Sequence, residues 1–191
     1  MLRLRNTTSP AWVVAVRGDV DGFLQDHAAN ERKVSGSALQ LAVQHPERRA
    51  LVDAMVAMAR EELEHFARVY ALLGSRGRGL ALDAPDPYMG ALRALVRTGD
   101  AGTFLLDRLL VFGVVEARAC ERFGLLAEGL AELELRAFYG DLTRAEARHH
   151  ALFVRLAQDV APRDAVAARL AEVLDAEAAI VDALPIRAAL H

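Results

Sequence analysis

Glu31 precedes Glu62 by 31 residues, Glu116 precedes Glu146 by 30, and each second member opens a Glu-x-x-His, ELEH at 62–65 and EARH at 146–149. In an antiparallel helical hairpin, two residues face each other when the turn lies midway between them. The midpoints are 46.5 and 131. Pro46 sits at the first and Gly129 lies two residues before the second, and both residue types end helices. At a rise of about 1.5 Å per residue, each arm from turn to acidic residue is on the order of 22 Å, which sets the four carboxylates near mid-height of two hairpins.

Stepping three or four positions along each helix puts every one of these acids on an apolar stripe. The stripes are Leu24, Ala28, Glu31, Ser35, Ala38, Ala42; Met55, Met58, Glu62, His65, Val69, Leu72; Leu109, Gly113, Glu116, Cys120, Phe123, Ala127; and Phe138, Leu142, Glu146, His149, Phe153, Leu156. Carboxylates in an apolar interior repel one another and lose their hydration, whereas two divalent cations balance their charge and use their oxygens as ligands. Residues three apart on a helix share a face, so a carboxylate and an imidazole reach neighbouring ligand positions. One Glu from each of two helices with a Glu-x-x-His from each of two others is the donor pattern of ferritin-like dinuclear proteins. Glu31, Glu62, His65, Glu116, Glu146 and His149 are therefore the candidate metal ligands. Oxygen-rich donors with two imidazoles and no thiolate suit iron, and manganese equally, better than structural zinc.

The rest of the chain fits an all-α reading. Ala, Leu, Arg and Glu dominate and Gly-bounded β-branched runs are scarce. Long helices are expected from about Val20 to Gln44, Glu47 to Gly74, Thr103 to Ala127 and Ala131 to Gln158, with a short one at Tyr88 to Val96 and a fifth long one at Arg163 to Ala183. SRGRGLALDAPDPYMG, with three Gly and two Pro in sixteen residues, reads as a loop. It begins the long connection between the two hairpins. The expected architecture is a ferritin-like four-helix bundle with one long crossover and an extra C-terminal helix, in a single domain over 1–191.

The single Cys, Cys120, excludes an internal disulfide framework. MLRLRNTTSPAW lacks the apolar region of a secretory signal, and no apolar run approaches the roughly 18 residues of a membrane span, so a cytoplasmic protein without a membrane partner is expected. A net charge of −3 argues against a nonspecific nucleic-acid coat and leaves room for a local basic patch.

Several residues have local alternatives. Thr143 with Glu146 fits a capping box, S/T-x-x-E. Glu61 is an alternative partner for His65, but its stripe meets Arg68 and reads as exposed. His150 is the alternative to His149 and suits a group supporting the ligands. Glu121 reads as the partner of an Arg, His27 as structural, and Cys120 as a small core residue.

DHAANERKVSGSALQL, AMAREELEHFARVYALL, VVEARACERFGLLAE and FYGDLTRAEARHHALFVRLA resemble, in order and spacing, the MiaE family of tRNA hydroxylases acting on 2-methylthio-N6-isopentenyladenosine next to the anticodon. The resemblance covers about residues 10 to 160, and nothing is carried over to the tail after Pro162. It implies a nonhaem di-iron monooxygenase that inserts one atom of the co-substrate dioxygen into the isopentenyl group. It also implies two iron ions, electrons from a separate reductase and a tRNA partner, with the state of assembly left open between monomer and dimer. The metal residues it implies are the same six. Arg76 and Arg78 in the Gly-rich loop, with Arg48, Arg49 and Lys33 further off, are the candidates for meeting RNA. The alternative is a ferritin-like or rubrerythrin-like ferroxidase or peroxidase. A chain with one Cys cannot build the four-cysteine iron site a rubrerythrin usually adds.

Overall fold

A computed structural model describes residues 3–191. Its helices are α1 (Pro10–Gly18), α2 (Val20–Gln44), α3 (Arg49–Ser75), α4 (Pro87–Arg93), α5 (Ala101–Gly129), α6 (Leu133–Gln158) and α7 (Arg163–Ala183), and no strand occurs among the described residues. The chain forms two compact units. One comprises residues 14–85 with 187–190, and the other residues 86–186 with the N-terminal segment to Val13 and His191.

The first unit is built on the α2–α3 hairpin. Asp19 caps α2 by accepting from the Gly22 amide at 2.8 Å, and the chain turns at Pro46. α3 starts two residues later than expected from sequence, because Glu47 and Arg48 are used in that turn. Its end also differs from expectation. Gly77, with φ +70°, makes the reversal rather than Gly74, and the Arg78 amide donates to the Leu73 carbonyl at 2.9 Å while the Gly77 amide donates to Gly74 at 3.0 Å. The Ser35 hydroxyl donates to the Ala59 carbonyl at 2.8 Å and stitches the two helices at mid-height.

The second unit is built on the α5–α6 hairpin with α4 and α7 packed against it. Asp100 caps α5, accepting from the Thr103 amide at 2.9 Å, and Asp86 caps α4 with Pro87 in its first turn. A Cβ on Gly113 would lie 3.2 Å from the Cβ of Phe153, so glycine lets α5 and α6 approach closely there. Tyr88, Leu92, Val111, Val114, Val115, Val173 and Leu174 form a core joining α4, α5 and α7.

α7 occupies the residues expected from sequence, and α4, α5 and α6 differ only at their ends. Sequence reading did not assign α1. Ser9-Pro10 is a start signal for it, and the Ser9 hydroxyl accepts from the Ala11 amide at 3.3 Å, but nine residues show too little periodicity to stand out.

Candidate metal centre

The six candidate ligands are all buried, none more than 5% exposed. They divide into one trio per unit. In the α2–α3 hairpin, Glu31, Glu62 and His65 each offer a ligand atom within 4.8 Å of the other two. His65 Nδ1 is 3.1 Å from Glu62 Oε2 and 3.8 Å from Glu31 Oε2. The α5–α6 hairpin repeats the arrangement. Glu116, Glu146 and His149 each offer a ligand atom within 4.8 Å of the other two, and His149 Nδ1 lies 3.0 Å from Glu146 Oε2.

The cause is local. Each Glu-x-x-His places acid and imidazole one turn apart on a buried face, and the turn at the midpoint brings the lone Glu of the partner helix to the same height. The stripes around Glu31 and Glu146 are buried throughout; only Leu72 and Ala127, at the far ends of the other two, are half-buried.

Burial alone would push the Glu31 carboxyl up, but the charge and hydrogen bond of His27, helped by His65 and Glu62, hold it down at about 2. Burial would likewise push the His65 imidazole down, and the hydrogen bonds it donates to Glu31 and Glu62 reverse this and raise it to about 10. Without metal, the first trio therefore sets a protonated His65 imidazole beside the Glu31 carboxylate. A cation binding there displaces that proton and takes over its role as counter-charge. The donor chemistry of both trios, two carboxylates and one imidazole without a thiolate, fits a hard or borderline divalent ion such as iron or manganese.

His27 is more than the structural residue expected. It is fully buried and its Nε2 lies 2.5 Å from Glu31 Oε1, orienting that carboxylate. Its position one turn before Glu31 on the same stripe was the available signal. The capping-box alternative for Glu146 is removed, since Thr143 lies in the interior of α6 and its hydroxyl donates to the Tyr139 carbonyl at 2.8 Å. Glu61 is half-buried rather than exposed. Glu121 pairs with Arg118 at 2.8 Å, as expected of it. His150 Nδ1 donates to the Gly113 carbonyl at 2.9 Å, and Cys120 is buried with its thiol donating to the Thr143 carbonyl at 3.3 Å.

The basic residues named for RNA contact each stand beside a carboxylate. Arg76 and Arg78 both bond Asp21, at 2.6 and 2.7 Å. Lys33 is 3.4 Å from Asp83, Arg49 3.6 Å from Asp53, and Arg48 3.7 Å from Glu47. The Asp21 and Lys33 pairs, with Gln25 bonding Gly79 and Ala81, fasten the Gly-rich loop to α2, whereas the Arg48 and Arg49 pairs are local to the turn and α3.

Comparison with known proteins agrees with this geometry. The chain is 38% identical over 152 residues to the tRNA 2-(methylsulfanyl)-N(6)-isopentenyladenosine(37) hydroxylase of Pseudomonas putida, covering 80% of this chain and 73% of that protein. It is 35% identical over 156 residues to the protein of the same name from Salmonella typhimurium, covering 82% of this chain but only 56% of that one. Among solved structures it resembles a Synechococcus protein described as having aldehyde deformylating oxygenase activity, with 36% identity and a TM-score of 0.94 over 100% of this chain and 96% of the other. That likeness identifies the all-α fold as ferritin-like. The family model described as tRNA-(MS[2]IO[6]A)-hydroxylase (MiaE) matches residues 2–191. With both Glu-x-x-His trios in place and the match running along nearly the whole sequence, the chain belongs to the MiaE family of tRNA hydroxylases.

Proposed function

We propose that the protein hydroxylates the isopentenyl group of 2-methylthio-N6-isopentenyladenosine in tRNA, using two iron ions with Glu31, Glu62, His65, Glu116, Glu146 and His149 as ligands. The observation that carries this is the family match over residues 2–191, combined with a buried carboxylate–imidazole trio in each hairpin. In this reading residues 1–191 act as one functional domain.

When bound, the iron pair supplies the dioxygen chemistry: one oxygen atom enters a C–H bond of the prenyl group, and two electrons with two protons reduce the other to water. A reductase delivers the electrons, and the reaction takes place in the cytoplasm, where tRNA is met. The chain's own residues bind, orient and shield. The carboxylates give up their mutual repulsion on binding cations, His65 releases its proton, His27 keeps Glu31 in register, and the burial of all six ligands excludes bulk water.

The test is nucleoside analysis of tRNA from a strain lacking the gene and complemented with wild type or Glu62→Ala. Wild type restores the hydroxylated nucleoside and Glu62→Ala does not. Restoration by both would refute the catalytic assignment. A second reading, oxygen-dependent deformylation of an aldehyde, is favoured by the description of the similar Synechococcus structure. Supplying purified iron-loaded protein with a fatty aldehyde and, separately, with isopentenylated tRNA decides between them by which product forms.

A further inference from the structure

The second unit contains a cavity of about 430 Å³ that neither the trios nor the core uses. It lies between the N-terminal segment, α5 and α6, and its lining includes Leu4, Cys120, Gly124, Thr143, Ala147 and His150. Its size falls within the range of about 300–1,000 Å³ typical of small-molecule sites. Three features define what it would hold.

The first is its place. Cys120 follows Glu116 by one turn of α5, Thr143 precedes Glu146 by one turn of α6, and His150 is the neighbour of His149. Burial raises the Cys120 thiol and the Glu146 carboxylate raises it further, so the cavity floor lies within electrostatic reach of a candidate ligand.

The second is the character of that floor. Its polar hydrogens are already committed to backbone carbonyls: the Cys120 thiol to Thr143, the Thr143 hydroxyl to Tyr139 and His150 Nδ1 to Gly113. With those hydrogens committed, the floor offers an occupant few free donors, which favours hydrocarbon or thioether over an anion. The charged residues of the lining are Arg3 and Glu128, both exposed, and Glu121, whose carboxylate accepts from Thr8 and Arg118.

The third is Gly124. A glycine inside a helix lowers its stability relative to alanine. No close approach requires it here, since a Cβ at this position would meet only the Thr143 methyl, at an ordinary 3.9 Å. Its missing side chain instead leaves the cavity open.

We propose that this cavity receives the prenylated adenine of the substrate, with the isopentenyl and methylthio groups against Cys120, Thr143 and Ala147 and the ribose–phosphate towards Arg3. The proposal rests on the tRNA hydroxylase reading for the identity of the occupant. It adds Gly124, Ala147 and Thr143 as residues that determine specificity.

The experiment measures calorimetric binding of 2-methylthio-N6-isopentenyladenosine and of adenosine to iron-loaded protein, alongside kcat and KM on isopentenylated tRNA. Wild type binds the prenylated nucleoside at least about tenfold tighter than adenosine, and Gly124→Leu, which fills the space, removes about that factor and raises KM without changing iron content. Gly124→Ala unfolds no earlier than wild type and stays near it in binding. Should Gly124→Leu unfold, Ala147→Leu fills the same space from α6 and carries the test. Wild-type binding and KM in a folded, filled variant would overturn the cavity assignment while leaving the tRNA hydroxylase reading intact. Nucleoside binding that is lost on filling, in a protein that never hydroxylates tRNA, would uphold the cavity and refute that reading instead.

Discussion

Asp107 is fully buried and accepts hydrogen bonds from two arginines: the Arg97 side chain at 2.7 and 2.8 Å, with the Arg97 amide at 2.9 Å, and Arg169 at 2.9 and 3.0 Å. Burial would raise its carboxyl, but the two guanidinium groups outweigh burial and hold it at about 2, below the ordinary 3.8. A depressed folded-state value means that the stabilisation is present above about pH 4 and is lost as pH falls through about 2; the gap corresponds to about 2 kcal/mol. Asp107→Asn is therefore less stable than wild type at neutral pH by about 2 kcal/mol, and the difference shrinks between pH 4 and pH 2. Urea midpoints at a series of pH values measure this, and a difference independent of pH would contradict it. Nothing in the sequence marks Asp107, because its partners stand 10 and 62 positions away. The candidate metal ligands are legible for the opposite reason: each pair recurs at one turn or about one hairpin, distances that helix geometry alone sets. His27 belongs to the same legible class, and only its role required the 2.5 Å contact with Glu31.

At the scale of elements, the fastening of α7 shows where periodicity stops informing. Its bounds follow from Pro162 and the run of helix formers after it, yet the group that ties it to α5 is a buried ion pair. Arg118 Nε and Nη2 donate to the two oxygens of Glu177 at 2.8 and 3.0 Å, both side chains are wholly buried, and the Tyr88 hydroxyl donates to the same carboxylate at 3.1 Å. Removing one member of such a pair strands a charge and costs about 3–5 kcal/mol. Glu177→Gln keeps the shape and loses the charge, and it should shift the guanidinium midpoint by that order while leaving the spectroscopic iron signature of the folded protein unchanged. A shift below about 1 kcal/mol would mean that Arg118 finds enough compensation in Glu121 and Asn6. The EARACERF segment had a legible family resemblance, but half of its charged residues serve this fastening rather than the metal.

For the whole molecule, the proposed iron centre links metal binding to folding. A ligand that binds only the folded chain stabilises it by about 2.7 kcal/mol at one hundred times its dissociation constant. Chelation should therefore lower the melting temperature of iron-loaded protein, and a single substitution in either trio, Glu62→Ala or Glu146→Ala, should abolish most of that shift and reduce iron below two per chain. A trio that keeps its full complement of iron when the other is broken would contradict this prediction. Sequence alone determined the all-α class, both hairpins and the six candidate ligands, since helical period and turn residues act over a few neighbours and a midpoint rule extends them to a pair of helices. Tertiary structure decided what those rules do not encode: that Arg76 and Arg78 pair with Asp21 and Lys33 with Asp83, that Arg118 spends its charge on Glu177, and that Gly124 lines a cavity. These depend on which side chains meet across long sequence separations, and packing, not periodicity, selects those encounters.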